Sequence, residues 1–92
     1  MQPMPQKVIV AENILAREVA AETVLLDLQN GRYFSLNEVG TRTWQLFNEF
    51  EGATSPILEQ LYAEYDVSKI TLQNDFLNLV GQLQEAGLIT AK

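Results

Sequence analysis

The stretch LLDLQNGRYFSLNEVGTRTW, residues 25–44, decides the fold, because it predicts a strand, a turn, a second strand and the start of a helix. Asn30 and Gly31 are residue types that supply two positive-φ positions, and they predict a two-residue type I′ hairpin turn. The turn folds the chain back into RYFSL, residues 32–36. Asn37 then ends this strand and is a good N-cap for the helix that follows.

Working outward from this stretch, the sequence predicts an antiparallel meander of three strands followed by three helices. Residues 1–13 are interpreted as an N-terminal tail or a short lead-in strand, and residues 14–92 as one domain. The segment at 88–90 is expected to return as an extended piece against the sheet. The predicted strands are 14–20, 22–28 and 32–36, and the predicted helices are 38–50, 56–65 and 69–86.

Capping residues mark the predicted helix ends. Ser55 followed by Pro56 predicts an N-cap and a first helical position for the second helix. Ser68 is the predicted cap of the third helix, and Gly87 is expected to end it. Because a tight turn joins these two helices, the predicted fold class is a small α+β domain of the winged helix-turn-helix type.

The third helix carries more apolar surface than one core face needs. Ile70 and Leu77 extend its apolar arc to one side, where they either pack under a neighbouring element or form the wall of a groove. Gly81 on the same side either lets another backbone approach or makes room for the side chain of Trp44 or Phe50. The predicted core face consists of Leu72, Phe76, Leu79, Val80 and Leu83, and the predicted solvent face of Thr71, Asn74, Asp75, Asn78, Gln82 and Glu85.

Composition excludes most classes of chemistry. The 92 residues contain no His and no Cys, so the usual nucleophile–base pairs, thiolate chemistry and most transition-metal sites are absent, and we expect neither enzymatic activity nor a cofactor or metal. Six scattered basic residues against twelve acidic ones give a net charge of −6, which opposes nucleic-acid binding. With no apolar segment long enough to span a membrane and no secretory signal, the expected location is the cytoplasm.

The strand at residues 32–36 comes last in the meander, so one of its edges is either covered by later chain or left unpaired. It contains no Pro and no Lys, which are common devices that protect an edge. An open edge beside an apolar helix flank suits β-augmentation, in which an extended peptide adds as a further strand.

The sequence resembles that of a known family over most of its length. The order of an apolar strand, an Asn-Gly turn, an aromatic pair, Leu-Asn, Gly and an apolar helix in LLDLQNGRYFSLNEVGTRTWQLF is similar to that of PqqD-like proteins. The later segments LYAEYDVSK and DFLNLVGQLQEAGLI match the same family, so the resemblance covers about residues 14–90. The GRYFSLN segment looks most like the free-standing leader-binding proteins of lasso-peptide biosynthesis.

The resemblance implies a RiPP recognition element, a non-catalytic module that binds the leader segment of a ribosomally made precursor peptide and presents it to maturation enzymes. The leader would pair with residues 32–36 in a cleft lined by the third helix. The implied partners are a leader peptidase and a macrolactam-forming cyclase; in the alternative, a PqqD-type chaperone, the partner is a radical enzyme. The implied peptide-binding residues are Arg32, Tyr33, Phe34, Ser35, Leu36, Ile70, Gln73, Leu77 and Val80.

Two further alternatives stay open. A winged-helix DNA-binding regulator would use the third helix for recognition, but Lys69 is the single cation of that helix. A homodimer would bury the open edge and the apolar flank against a second copy, so the chain is expected to be a monomer or a weak homodimer. Alternation along residues 32–36 places Tyr33 and Ser35 on one face and the other three residues on the opposite face, and the sequence leaves open which face lines the cleft.

Overall fold

The computed structural model describes residues 4–92, which contain five strands and three helices. The predicted α+β class, with three helices and antiparallel strands, is confirmed. The strands are β1 (Val8–Val10), β2 (Ile14–Val19), β3 (Glu22–Asp27), β4 (Arg32–Leu36) and β5 (Ile89–Ala91), and the helices are α1 (Glu38–Glu49), α2 (Thr54–Glu64) and α3 (Lys69–Glu85).

The main sheet is the predicted meander, with the antiparallel order β2-β3-β4. The register sets Leu25 opposite Phe34 and Leu26 opposite Tyr33. β3 therefore lies at the centre, and β2 and β4 are the two edges. The strand predicted third from the sequence is β4, with the same bounds.

The turn between β3 and β4 differs from the predicted type I′ turn. Four residues, 28–31, separate the paired Asp27 and Arg32, and of these only Gly31 has a positive φ, at 69°. The Asp27 carboxylate accepts hydrogen bonds from the Gln29 and Asn30 backbone N–H groups and from Asn30 Nδ2, at 3.0, 3.2 and 2.8 Å. These bonds favour the longer turn over the two-residue turn that the Asn-Gly dipeptide alone predicts.

The sequence suggested that the C-terminal segment returns against the meander, but the C-terminal strand does not join that sheet. β5 pairs with β1 in a separate two-stranded antiparallel sheet, with Ile9 opposite Thr90. The Val8 N–H donates to the Gly52 carbonyl at 2.8 Å, which attaches β1 to the connection between α1 and α2. The lead-in segment thus contains a short strand with a buried Val8; residues 1–3 lie outside the described residues.

The helix starts agree with the predicted caps in two of three cases. Asn37 Oδ1 accepts from the Gly40 N–H at 2.9 Å, and Ser68 Oγ accepts from the Thr71 N–H at 3.1 Å. The predicted Ser55 cap of α2 is wrong, because the helix begins at Thr54 with Ala53 as its N-cap. The Thr54 N–H donates to the Gln6 carbonyl at 3.1 Å, so contact with the lead-in segment satisfies a free N–H of the first turn.

The hydrophobic core lies between the sheets and the three helices. Trp44 and Phe47 of α1 meet edge-on, and Phe47 meets Phe76 of α3 in the same way, at centroid distances of 5.8 and 6.4 Å. The buried core residues are Val8, Leu25, Leu36, Trp44, Leu46, Phe47, Ile57, Leu61, Leu72, Phe76, Val80, Leu83, Leu88 and Ile89.

Both predicted faces of α3 are confirmed. Its core face is buried apart from Leu79, which is half-buried and packs against the core, and every residue predicted to face solvent is exposed. Gly81 has no close neighbour: a Cβ built there meets no atom within 4 Å in the described part of the chain. Neither another backbone nor Trp44 or Phe50 therefore approaches Gly81 closely enough to require a glycine.

Candidate functional site

The strand β4 has one of the two free edges of the meander within residues 4–92, the other being that of β2. Its inner edge pairs with β3, and no strand among residues 4–92 pairs with its outer edge. Alternate N–H and C=O groups of an antiparallel edge strand point away from the sheet. The five residues of β4 therefore offer backbone donors and acceptors to an incoming strand, and no Pro or Lys protects them.

Alternation along β4 separates a core face from an outer face, which the sequence left open. Leu36 is buried and Phe34 is half-buried against the core, so these two side chains point towards the helices. Tyr33 and Ser35 are exposed on the opposite face, Tyr33 with 75% of its surface accessible. A strand added to β4 would place side chains opposite Arg32, Phe34 and Leu36 on the helix side of the sheet.

A small cavity of about 70 Å³ lies beside β4 at the end near the turn. Its strand-side lining includes Arg32 and Phe34, and its other wall is formed by Ala86 and Leu88 at the C-terminal end of α3. The cavity thus lies between β4 and that end of α3. It is lined by Asp27, Arg32, Tyr33, Phe34, Ala86 and Leu88.

Asp27 belongs to this cavity but its carboxylate is already engaged by the turn. The hydrogen bond from the Asn30 side chain, together with those from the backbone of Asn30 and Gln29 and the charge of Arg32, lowers the Asp27 pKa, while burial opposes this. The carboxylate holds the turn through these hydrogen bonds. Arg32 acts on it through its charge but forms no salt bridge within residues 4–92.

One flank of α3 faces the β4 side. Ala86 lines the cavity, and Leu79 lies two helical turns before it, on the same side of the helix. Leu79 is half-buried, and the exposed Gln82 lies next to this line at helical spacing. Leu79, Gln82 and Ala86 therefore form the β4-side flank of α3.

The α3 residues predicted from the sequence lie on the other flank. Gln73 lines a cavity of about 310 Å³ between α2 and α3, together with Leu58 and Tyr62. Leu77 and Val80 line a third cavity against the segment at 4–6 and the C-terminal end of β5. Ile70 is 72% exposed near the start of α3. The structure thus brings Arg32, Tyr33 and Phe34 together in one cavity and places Gln73, Leu77 and Val80 in others.

Sequence reasoning did not identify Asp27, Ala86 or Leu88 as lining the β4 cavity. Ala86 and Leu88 flank Gly87, so the helix-end signal placed them at a terminus but did not show which strand that terminus meets. Leu79 was assigned to the core face, and its half-buried state shows that it also borders the surface. The helical phase shared by Leu79 and Ala86 was the available signal for this flank.

The outer face of the meander is also apolar. Leu15, Leu26 and Tyr33 form a row across the three strands, since Leu15 is opposite Leu26 and Leu26 is opposite Tyr33. Leu15 is 53% exposed, and the exposed Val24 lies on the same face. This face borders the free edge of β4, so a peptide added there would extend it.

Acidic side chains form no group that could hold a metal ion anywhere in residues 4–92. Over the same range, no helix combines the length and apolar character needed to cross a bilayer.

Comparisons with known proteins identify a family and two similar solved structures. The family model described as Coenzyme PQQ synthesis protein D (PqqD) matches residues 22–89. The solved structure of TbiB1 in complex with the TbiA(beta) leader peptide is 31% identical, covers 88% of this chain and 93% of its own, and superposes with a TM-score of 0.82. Lasso peptide synthetase B1, solved in complex with a leader peptide, is 24% identical with a TM-score of 0.79, over 91% of this chain and 98% of its own, and supports the fold alone.

A search of curated protein sequences gives no match.

Proposed function

The chain belongs to the PqqD family, and from this premise we propose that it is a RiPP recognition element, a non-catalytic protein that binds the leader segment of a ribosomally made precursor peptide. The observation that carries the proposal is the unpaired outer edge of β4 beside an α3 flank. The 31% identical TbiB1 was solved with a leader peptide, which supports the same class of ligand here.

The proposed binding mode is strand addition to β4. The leader backbone would pair with residues 32–36, and its alternate side chains would point towards Leu79 of α3 and the C-cap Ala86. Tyr33 and Ser35 would contribute their backbone groups while their side chains stay on the outer face. Winged helix-turn-helix topology, with α2 and α3 joined by residues 65–68, is part of this proposal.

The proposed pathway is lasso-peptide maturation, with a leader peptidase and a cyclase as the partners that receive the presented peptide. The resemblance of GRYFSLN to leader-binding proteins of those pathways supports this choice. In the alternative, a PqqD-type chaperone, the partner is a radical enzyme, and the name of the matched family supports it. Pull-down with the peptidase and with a radical enzyme encoded near this chain separates the two, since the first proposal expects the peptidase to bind and the second expects the radical enzyme to bind.

A further sequence-based alternative, a DNA-binding regulator, is not favoured by the structure. Lys69 on α3 lies 5.3 Å from the centre of the Tyr62 ring, and α3 holds no second cation for a phosphate contact. No observation on the surface of residues 4–92 favours this function over peptide binding.

The test of the proposed function is an NMR titration of ¹⁵N-labelled protein with the leader half of the precursor peptide encoded beside this chain. We expect the largest amide shifts at residues 32–36 and around Leu79 and Ala86, and small shifts on β2, which is the other edge of the same sheet. The peptide with its residues in scrambled order is the matched control. Saturable binding with shifts confined to other surfaces would contradict strand addition, and the absence of binding to any encoded leader would contradict the function.

A further inference from the structure

Arg32 is the only charged residue of β4, and its position within the candidate site is specific. It lines the cavity beside the free edge, together with Phe34 and the C-terminal end of α3. By alternation its side chain starts on the same face of the sheet as those of Phe34 and Leu36. The guanidinium is therefore placed on the side of the sheet where alternate side chains of an added strand would lie.

The guanidinium of Arg32 forms no salt bridge in the described part of the chain, although the charge of Asp27 on the same face acts on it. Asp27 is opposite Arg32 in the register, but its carboxylate is buried and receives three hydrogen bonds from the turn. The salt bridges among residues 4–92 are formed by Arg42 instead, with Glu49 and Glu64. An arginine offers five N–H donors in a planar fork that suits a carboxylate, so an arginine without a salt bridge at an open edge can bind a carboxylate from an added strand.

We infer that Arg32 is a specificity-determining residue that selects a leader peptide with an Asp or Glu opposite it, two positions from an apolar residue that lies opposite Phe34. This inference rests on the proposed function and deepens it by naming the chemistry of the peptide. Residues directly opposite in adjacent strands have Cβ atoms roughly 5 Å apart, within reach of an Arg–carboxylate pair. In an antiparallel arrangement the peptide reads apolar-x-acidic from N- to C-terminus, and in a parallel one it reads acidic-x-apolar.

The overall charge of −6 does not oppose this pairing. At physiological ionic strength the Debye length is about 8 Å, so exposed charges farther away are largely screened and the local partner dominates. The long-range field favours basic residues elsewhere in the peptide, away from the position opposite Arg32. The expected ligand is thus a peptide with one acidic position fixed by register, not a generally acidic peptide.

The test is selection from a displayed library of random twelve-residue peptides against the wild type and against Arg32→Glu and Arg32→Gln. We expect the wild type to enrich an acidic residue two positions from an apolar one, Arg32→Glu to enrich Lys or Arg at that position, and Arg32→Gln to lose the charge preference. The peptide that binds the wild type most tightly should bind Arg32→Gln about two- to fivefold more weakly, which is the loss in affinity expected for an exposed ion pair. Arg17→Glu, on the other edge strand, makes the same change in net charge and should leave the preference unchanged.

The outcomes separate this inference from the proposed function. Enriched peptides that shift the amides of residues 32–36 but show the same charge preference with Arg32→Glu would overturn the inference and leave strand addition standing. A library that yields no peptide binding at β4 would contradict both proposals. Arg32→Gln keeps the test valid if Arg32→Glu unfolds beside the buried Asp27.

Discussion

The guanidinium of Arg42 binds the carboxylate of Glu64 through two parallel hydrogen bonds, from Nε to Oε1 at 2.8 Å and from Nη2 to Oε2 at 2.7 Å. The pair joins α1 to α2, and Gln60 Nε2 donates a further hydrogen bond to the same carboxylate at 2.7 Å. Bidentate geometry of this kind is stronger than an ordinary surface ion pair. The pair holds α1 and α2, which both contribute residues to the hydrophobic core, in place relative to each other.

This pair predicts a loss of stability in acid. The hydrogen bonds from Arg42, followed by that from Gln60, lower the Glu64 pKa from 4.5 to about 2. A carboxylate whose pKa is lower in the folded state stabilises the fold above its unfolded pKa, and this contribution disappears as the pH falls from about 4.5 to about 2. Because the pair is partly solvated, we expect about 1 kcal/mol, measured as the free energy of urea unfolding at pH 6 and pH 2.5.

Glu64→Gln should remove this part of the acid dependence of stability. Glu59→Gln on the same helix is the control and should retain it, because Glu59 is exposed and hydrogen-bonds to no other side chain in residues 4–92. If both variants lose stability between pH 6 and pH 2.5 by the same amount as the wild type, the pair is not the source of the effect.

Gly31→Ala is expected to destabilise the protein through the backbone alone. Gly31 has a φ of 69°, and a Cβ there meets no atom within 4 Å of the described residues, so the cost is that of a left-handed alanine, about 1–2 kcal/mol. Thermal unfolding of the variant measures it. Gly81→Ala in α3 is the matched control and should stabilise the protein by about 1 kcal/mol. Gly81 has the same open space around it as Gly31, but it lies in a helix, where alanine is preferred over glycine. A neutral or stabilising Gly31→Ala would contradict the turn described here.

Thr23→Val should stabilise the protein. The Thr23 hydroxyl is buried on β3 and has no hydrogen-bond partner in the described structure, so its burial has a desolvation cost that valine avoids at nearly the same shape. We expect a gain of about 1 kcal/mol in the free energy of urea unfolding. Thr43→Val is the control, because the buried Thr43 hydroxyl donates to the Val39 carbonyl at 2.8 Å and its loss should give no such gain. Equal effects of the two substitutions would show that the Thr23 hydroxyl is satisfied in solution.

The two flanks of α3 give opposite predictions for peptide binding. Leu79 and Leu77 are both half-buried leucines. Leu79 shares the helical phase of Ala86, which lines the β4 cavity, while Leu77 lines the cavity against the segment at 4–6. We expect Leu79→Ala to weaken leader binding by several-fold through lost apolar contact and Leu77→Ala to leave it unchanged, as measured by calorimetric titration. Circular dichroism confirms that each variant is folded at the titration temperature. The reverse order of effects would assign the groove wall to the flank predicted from the sequence.

Local signals in the sequence were sufficient for much of the fold. The helical period placed Leu72, Phe76, Val80 and Leu83 in the core correctly, because burial of one helix face depends on residues three and four apart. The caps at Asn37 and Ser68 were predictable for the same reason, since each side chain bonds an N–H three residues ahead.

The features that the sequence did not predict depend on distant contacts. Pairing of β1 with β5 joins the two ends of the described chain, and no local pattern in either strand identifies its partner. The start of α2 is fixed by a hydrogen bond to Gln6, and the turn after β3 by the carboxylate of Asp27. In the candidate site, β4 was proposed from its own sequence, whereas the position of Ala86 and Leu88 across the cavity from β4 depends on the packing of distant elements.

Amide hydrogen exchange of β4, with and without the encoded leader peptide, tests strand addition most directly. In the free protein the alternate amides of residues 32–36 that point away from β3 pair with no strand among residues 4–92 and should exchange rapidly. Leader binding by strand addition should slow these amides by about tenfold or more, while the amides of β2, residues 14–19, stay unchanged. Saturating leader binding that leaves every β4 amide at its free rate would contradict the account.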